Sequence, residues 1–259
     1  MSQKQERPIA IVTGASRRAG IGAAVCRALA ASGHDIFFTH LQDYDREVSV
    51  GADVDGQDEL AAELGSFGAR VVHMPADLTD PATADEVIAR CTRELSAPTV
   101  LINNAAYSTT QQWDQLTPDD FDNHYFVNFR GSSLLSIAFA KQFDRGHGGR
   151  IISLTTGQAL GPMPTELAYA ASKGAIEAFV KSFAVAVGPK GITVNAVNPG
   201  PNDTGWMSDD LKAYLKPKFA LGRIGRPDDV AKVIAFLAST DAAWITGQVI
   251  NVEGGFTRD

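Results

Sequence analysis

The sequence predicts one α/β domain: a doubly wound, mostly parallel sheet of seven strands with helices on both faces. Three observations carry this. Short apolar runs alternate with longer helical patterns along the chain, as βαβ units do. The first run, Ile9-Ala-Ile-Val12, is apolar at every position, as a strand buried on both faces must be. It turns through Thr13-Gly14 and Gly20-Ile-Gly22 into an Ala-rich helical stretch, Ala23 to Ala31.

The remaining elements follow in order. Gly33 ends the first helix, and Asp35 to Thr39 is a second strand. Leu41 to Gln57 is polar and without periodicity, so an exposed loop is expected. A helix over Glu59 to Phe67 leads to strand Arg70 to Met74, then a helix over Ala82 to Leu95 and strand Thr99 to Asn103. Thr117 caps a helix with Pro118 at its first position, expected to run through Lys141. Strand Arg150 to Leu154, a helix from about Glu166 to Val187, strand Ile192 to Val197 and strand Gln248 to Val252 complete the sheet. The segment 203–226 breaks the alternation and mixes Trp206, Met207, Tyr214 and Phe219 with lysines. It reads either as an apolar flap at the carboxyl ends of the strands or as a surface helical hairpin.

Bulk properties exclude several classes. The 259 residues, 44% hydrophobic, suffice to bury a full core. A net charge of −7 argues against a nucleic-acid surface. No apolar run reaches membrane-spanning length, and Met1 to Pro8 lacks the apolar region of a signal peptide. Cys26 and Cys91 both fall in helical patterns and read as buried small hydrophobes, which suits a reducing, cytoplasmic setting. No metal-ligand pattern is present.

Two constellations could carry chemistry. A strand that turns through glycines into a helix N-terminus offers free N–H groups and the positive dipole end to a phosphate. The spacing here, Gly14 then Gly20-Ile-Gly22, does not match the common G-x-G-x-x-G, so an ordinary tight turn remains open. In the second long helix, Tyr169 and Lys173 stack on one face at i, i+4, and a nearby cation favours phenolate. Thr156 offers a hydroxyl at the carboxyl end of a strand, where ligands of doubly wound sheets bind. Taken alone, the same residues suit a half-exposed helix pair and a loop-starting hydroxyl.

The ordered set of motifs resembles the short-chain dehydrogenase/reductase family over essentially the whole chain. It comprises Thr13-Gly14…Gly20-Ile-Gly22, Asp77-Leu78, Asn103-Asn-Ala-Ala106, Asn128, Thr156, Tyr169…Lys173 and Asn198-Pro-Gly200. The closing run from Arg223-Ile-Gly-Arg-Pro-Asp-Asp-Val230 to Val252-Glu-Gly-Gly255 is similar to the 3-oxoacyl-(acyl carrier protein) reductase-like branch. The resemblance implies a Rossmann-type fold and a reductase converting a ketone, with a 3-oxoacyl group as one candidate, to a secondary alcohol. Tyr169 would be the proton donor, Thr156 would polarise the carbonyl, and Lys173 would hold the nicotinamide ribose. Asn128 would kink its helix and hold a water that relays protons to Lys173. Gly14, Ser16, Arg17, Arg18, Gly20 and Ile21 would surround the phosphates. Asp77 and Leu78 would meet the adenine, Asn104, Ala105 and Ala106 the adenosine side, and Pro199, Gly200 and Thr204 the nicotinamide. Tyr107, Gln158, Met163, Trp206 and Met207 would wall the substrate pocket.

Three departures stand out against that family. Thr156 replaces the usual Ser, Ala106 the usual Gly, and the glycine turn is two residues longer. The end of the second strand carries His40, where members that prefer NAD(H) place an acid. With Arg17 and Arg18 in the turn to grip a 2′-phosphate, NADP(H) is preferred. NAD(H) remains the alternative if Asp43 or Asp45 folds back. The family also implies a homodimer or homotetramer, with the apolar run Val233 to Trp244 at an interface or packed on the sheet. Lys212, Lys216 and Lys218 could meet an acidic acyl carrier protein or form a solvated face. A non-catalytic dinucleotide-binding regulator is the other reading.

Overall fold

The computed structural model describes residues 7–41 and 55–258. The seven strands are β1 (Ile9–Val12), β2 (Asp35–His40), β3 (Val71–Pro75), β4 (Val100–Asn103), β5 (Gly149–Leu154), β6 (Ile192–Asn198) and β7 (Val249–Asn251). They lie in the order β3-β2-β1-β4-β5-β6-β7, and every neighbouring pair is parallel. The chain reverses direction across the sheet between β1 and β4, which opens a crevice at their carboxyl ends.

Alternate residues of each strand enter opposite cores, which is why the strands read as unbroken apolar runs. Ala10, Val12, Ile36, Phe38 and Ile102 face one layer. It contains α1 (Ile21–Ala31), α2 (Gly56–Gly65) and α8 (Pro227–Ala238), through Val25, Leu29, Leu60, Leu64, Val230 and Ile234. Ile9, Ile11, Phe37 and Leu101 face the other layer, with Val87, Cys91, Leu135, Phe139, Ile176 and Val180. Those residues come from α3 (Thr83–Glu94), α5 (Ser132–Gln142) and α6 (Leu167–Val187). Truncating a fully buried side chain such as Leu101 to Ala would cost about 2–5 kcal/mol. Both cysteines are fully buried and free, and burial raises both thiol pKa values, Cys91 to about 12.

Two expectations need correction, and a third divides between its alternatives. The helix expected from Thr117 to Lys141 is interrupted: α4 (Pro118–His124) and α5 flank a π-helical turn, Tyr125–Gly131. The capping box is present, with Thr117 N–H donating to Asp120 Oδ2 at 2.8 Å. Asn128, where the family resemblance implied a kink, lies inside the π turn, and its side chain bonds Tyr107 and Ser172. Second, segment 203–226 is not a hairpin. It holds one short helix, α7 (Asp209–Leu215), and a 3₁₀ turn, anchored by buried Met207 and Phe219. Third, the apolar run from Val233 divides: Ile234 and Leu237 enter the core, while Phe236 and Trp244 face outward. The expected loop Leu41 to Gln57, including Asp43 and Asp45, lies largely outside the described residues, and α2 begins at Gly56 within it.

Candidate active site

The glycine turn is built by close backbone approach. Gly14 has φ 71°, and a Cβ there would lie 2.6 Å from Ala105 Cα. A Cβ at Gly22 would lie 2.6 Å from Gly14 O and 2.7 Å from Asn104 Nδ2. The approach is sealed by Asn104 Nδ2, which donates to the carbonyls of Thr13 and Gly14 at 2.9 Å each. Thr13 Oγ1 accepts from the N–H groups of Asn104 and Ala105 at 3.0 and 3.1 Å. Thr39 O accepts from Ala15 N–H at 2.8 Å, and Ser16 Oγ from Leu41 N–H at 3.1 Å, tying the turn to the end of β2. The sequence marks Thr13 only as the start of the glycine motif and Thr39 only as a strand end, although a hydroxyl closing an apolar strand is a usable signal.

The two extra residues of the turn form a bend closed by Gly20 N–H donating to Arg17 O at 3.0 Å. The adjacent arginines diverge there. Arg17 lines the cleft and donates to Thr204 O at 3.2 Å and Thr204 Oγ1 at 3.4 Å. Arg18 turns to Glu59 on α2, outside the cleft lining, so the expected joint grip of both arginines is not preformed.

A cleft of about 630 Å³ runs from this turn to Tyr169. Of the expected residues it is lined by Gly14, Ser16, Arg17, Gly20, Ile21, His40, Asp77, Leu78, Asn104, Ala105, Ala106, Tyr107, Tyr169 and Thr204. Pro199, Gly200, Gln158, Met163, Trp206 and Met207 are not among its lining, and neither is Thr156. Trp206 is half exposed, with its indole N–H donating to Asn202 O at 2.9 Å, and Met207 is buried. The residues present fit a dinucleotide. The glycine turn and the N-terminus of α1 border the cleft, and Asp77 and Leu78 stand in its wall.

At the end of β2, His40 is buried, and its Nε2 lies 3.3 Å from His73 Nδ1, whose own Nε2 is 3.2 Å from Asp58. Its Nδ1 has no partner among the described residues. Burial and the neighbouring His73 lower its pKa, which favours a neutral ring.

The catalytic candidates are held by side-chain bonds. Lys173 is 2% exposed, donates to Leu154 O at 2.9 Å and lies 5.7 Å from the Tyr169 ring centroid. Desolvation pushes its pKa down to about 8. Asn128 Oδ1 accepts from Tyr107 N–H at 2.7 Å, while Nδ2 donates to Tyr107 O at 2.9 Å and Ser172 Oγ at 3.0 Å. The π turn is thereby fastened to α6 one residue from Lys173. Thr156 Oγ1 reaches only a thioether, Met163 Sδ at 3.7 Å, a weak acceptor that a carbonyl oxygen can displace. The neighbouring Thr155 hydroxyl is buried and donates to Glu177 at 2.9 Å, and Gln158 Nε2 donates to the same carboxylate oxygen at 2.9 Å.

His124 was not anticipated. It is 1% exposed and lies edge-on to Tyr107 and Tyr169, with centroids 4.9 and 6.2 Å away. Nδ1 donates to Asp120 O at 2.6 Å and Nε2 accepts from Thr109 N–H at 3.3 Å, a pattern only the neutral ring satisfies. Burial accordingly lowers its pKa.

A family model described as enoyl-(acyl carrier protein) reductase matches residues 14–257. The chain is 48% identical to the uncharacterized oxidoreductase YjdA of Bacillus subtilis, covering all of both chains. It is 32% identical to versicolorin reductase 1 of Aspergillus parasiticus, covering 96% of each. It is also similar to a short-chain dehydrogenase from Burkholderia cenocepacia solved in complex with NADP (TM-score 0.85, 32% identity, 96% of this chain and 97% of that one). These matches, on a seven-stranded parallel sheet with this cleft, make the chain a member of the short-chain dehydrogenase/reductase family of NAD(P)-dependent oxidoreductases.

Proposed function

We propose that the protein is an NADP(H)-dependent carbonyl reductase that converts a ketone to a secondary alcohol and runs reversibly. The observation that carries this is Tyr169 at the wall of the dinucleotide cleft with the Lys173 ammonium buried behind its ring. When bound, the reduced nicotinamide supplies the hydride that the carbonyl carbon accepts. Tyr169 gives its phenolic proton to the carbonyl oxygen, and the Lys173 cation stabilises the phenolate left behind. Burial lowers the Lys173 pKa to about 8, still above neutral, so the side chain remains the cation that this role needs. Asn128 holds the π turn and the Tyr107 backbone against α6, which fixes one wall of the site. Thr156 donates to the carbonyl oxygen in place of its weak sulfur contact.

The preference for NADP(H) is supported by Arg17 in the cleft and by a neutral His40, rather than a carboxylate, at the end of β2. The NADP complex of the Burkholderia relative agrees with it. A moderately apolar ketone suits Tyr107 and Val127, which stand with Tyr169 in the cleft wall. A 3-oxoacyl thioester on a carrier protein has weaker support, because Lys212 pairs with Asp203 at 2.9 Å and Lys218 sits over Tyr214. Self-association as a dimer or tetramer is supported by outward Val185 (79% exposed) and Trp244 (99% exposed). The cytoplasm suits two buried free thiols, and no helix among the described residues is long and apolar enough to cross a membrane.

Titration with NADPH and NADH, followed by a ketone panel read by loss of NADPH fluorescence, tests this reading. Tighter NADPH binding with turnover of at least one ketone is expected. Binding without oxidation by any ketone would instead support the non-catalytic regulator. Light scattering on a sizing column tests self-association, and a monomer would remove it.

A further inference from the structure

We propose that Arg258 is a positioning residue for the loop that carries Thr156, acting from the far end of the sequence through Glu253. The inference rests on the reductase reading for its kinetic arm only.

The loop after β5 has no side chain at two places, Gly157 and Gly161, and Arg258 fills both. A Cβ at Gly157 would collide with Arg258 Nη2 and lie 2.8 Å from its Cζ. A Cβ at Gly161 would lie 2.6 Å from Arg258 Cδ and 3.0 Å from its Cβ. The stem of Arg258 thus covers one end of the loop while its guanidinium covers the residue next to Thr156. That guanidinium is fixed by a two-pronged ion pair, Nη2 to Glu253 Oε2 at 2.5 Å and Nη1 to Oε1 at 3.1 Å. The two side chains are only 16% and 10% exposed, so water screens the pair little.

Glu253 is itself anchored on the opposite side of the site. Its Oε2 accepts from Asn198 Nδ2 at 3.0 Å, and Asn198 Oδ1 accepts from Gly200 N–H at 2.9 Å. The bracket Gly157–Arg258–Glu253–Asn198–Gly200 therefore spans the ends of β5 and β6. The intervening segment is also tied to the flap: Leu221 N–H donates to Gly254 O at 3.2 Å, and Thr257 N–H to Lys218 O at 2.9 Å. Among the described residues the Thr156 hydroxyl has only the thioether contact, so its position is set by its neighbours: Thr155 and Gln158 are held by Glu177 from one side, and Gly157 and Gly161 are covered by Arg258 from the other. Rigid support beneath a donor is what turns it into a preorganised one.

The test is a cycle of Thr156→Val, Arg258→Ala and the double variant, with Arg258→Lys as a milder second probe should the Ala variant not fold. If Arg258 acts through Thr156, Arg258→Ala lowers kcat about 10-fold, on the scale of a small misplacement of a catalytic donor. NADPH affinity by fluorescence titration stays within about two-fold, because the residues Arg258 itself meets, Glu253, Phe256, Gly157 and Gly161, do not line the dinucleotide cleft. Adding Arg258→Ala to Thr156→Val then produces no further loss. Amide exchange across residues 156–161 quickens in Arg258→Ala, and in smaller measure in Arg258→Lys, a readout that needs no substrate. Full additivity in the cycle, or unchanged exchange in that loop, would overturn the proposal. A wild-type protein inert toward every ketone but with faster loop exchange in the variant would defeat the reductase reading and leave the positioning intact.

Discussion

The catalytic end of the cleft is held by side chains with fixed partners, whereas the dinucleotide end is held by backbone that glycines allow to come close. Lys173, Asn128, Thr155, Glu177 and His124 each have a named hydrogen-bond partner, and all but Glu177 are buried. At the other end the work falls to Gly14, Gly22 and the carbonyls bridged by Asn104, while Arg17 reaches along the cleft wall to Thr204 and Arg18 reaches out of it to Glu59. The contrast reflects the chemistry each end must meet. A proton donor has to be placed to a fraction of an ångström before the substrate arrives, and locked side chains do that. A pyrophosphate needs many N–H groups at close range, and bare backbone gives that. Substitutions should therefore act on rate at one end and on affinity at the other.

The sharpest way to break this comparison is Tyr169→Phe. It keeps the ring against His124 and Lys173 and removes the phenolic proton that the proposed mechanism hands to the substrate. Turnover should fall by at least about 10³-fold, with NADPH affinity nearly unchanged. Steady-state kinetics beside a fluorescence titration reads both, and retained activity would dismantle the catalytic assignment. Thr156→Val comes next, with an expected loss on the order of 10²-fold in kcat, the scale of one preorganised donor. Normal kinetics in that variant would make Thr156 a bystander.

The difference between the ends also decides what the sequence can disclose. Tyr169 and Lys173 sit one helical turn apart, so their pairing follows from helix geometry alone. Gly14 and Gly22 signal their own bareness, and the apolar alternation gives all seven strands to within a residue or so. Asn128 was named through the family resemblance, yet its bonds to Tyr107 and Ser172 link it to residues that no local pattern connects to it. His124 looks like an ordinary polar residue in a capped helix until Thr109 and Tyr169 close around it. Arg258 meets Gly157 only because the sheet brings β5 and the end of the chain together. What remained hidden is long-range side-chain pairing, the very material of the catalytic end.

Lys173 sharpens the comparison through pH. Its pKa falls from 10.5 to about 8 on burial, so between those values the unfolded chain binds more protons than the folded one. Stability therefore rises with pH in that window. The penalty for burying the cation is complete below pH 8 and gone above 10.5. Lys173→Met lacks this contribution, so its unfolding free energy relative to wild type should change by about 1.4 kcal/mol per pH unit within the window. Urea unfolding of both proteins at several pH values measures it. Parallel curves would mean that Lys173 titrates as an exposed lysine does, and that the catalytic end is wetter than its burial indicates.

The smallest effects belong to the arginines, where the two extra residues of the turn sit. Arg17 points into the cleft, and a charge-assisted bond to a phosphate is worth about 1.5–3 kcal/mol, so Arg17→Ala should weaken NADPH by at least about 10-fold. Arg18 engages Glu59 in a half-exposed pair worth at most about 1 kcal/mol, so Arg18→Ala should shift NADPH affinity less. A loss in Arg17→Ala that is larger for NADPH than for NADH places this guanidinium at the 2′-phosphate. An equal loss for both cofactors places it over the pyrophosphate, beside Thr204, which it already touches. Should Arg18→Ala prove the more damaging of the two, the pair with Glu59 must open on binding, and the dinucleotide end is then assembled by its ligand rather than preformed.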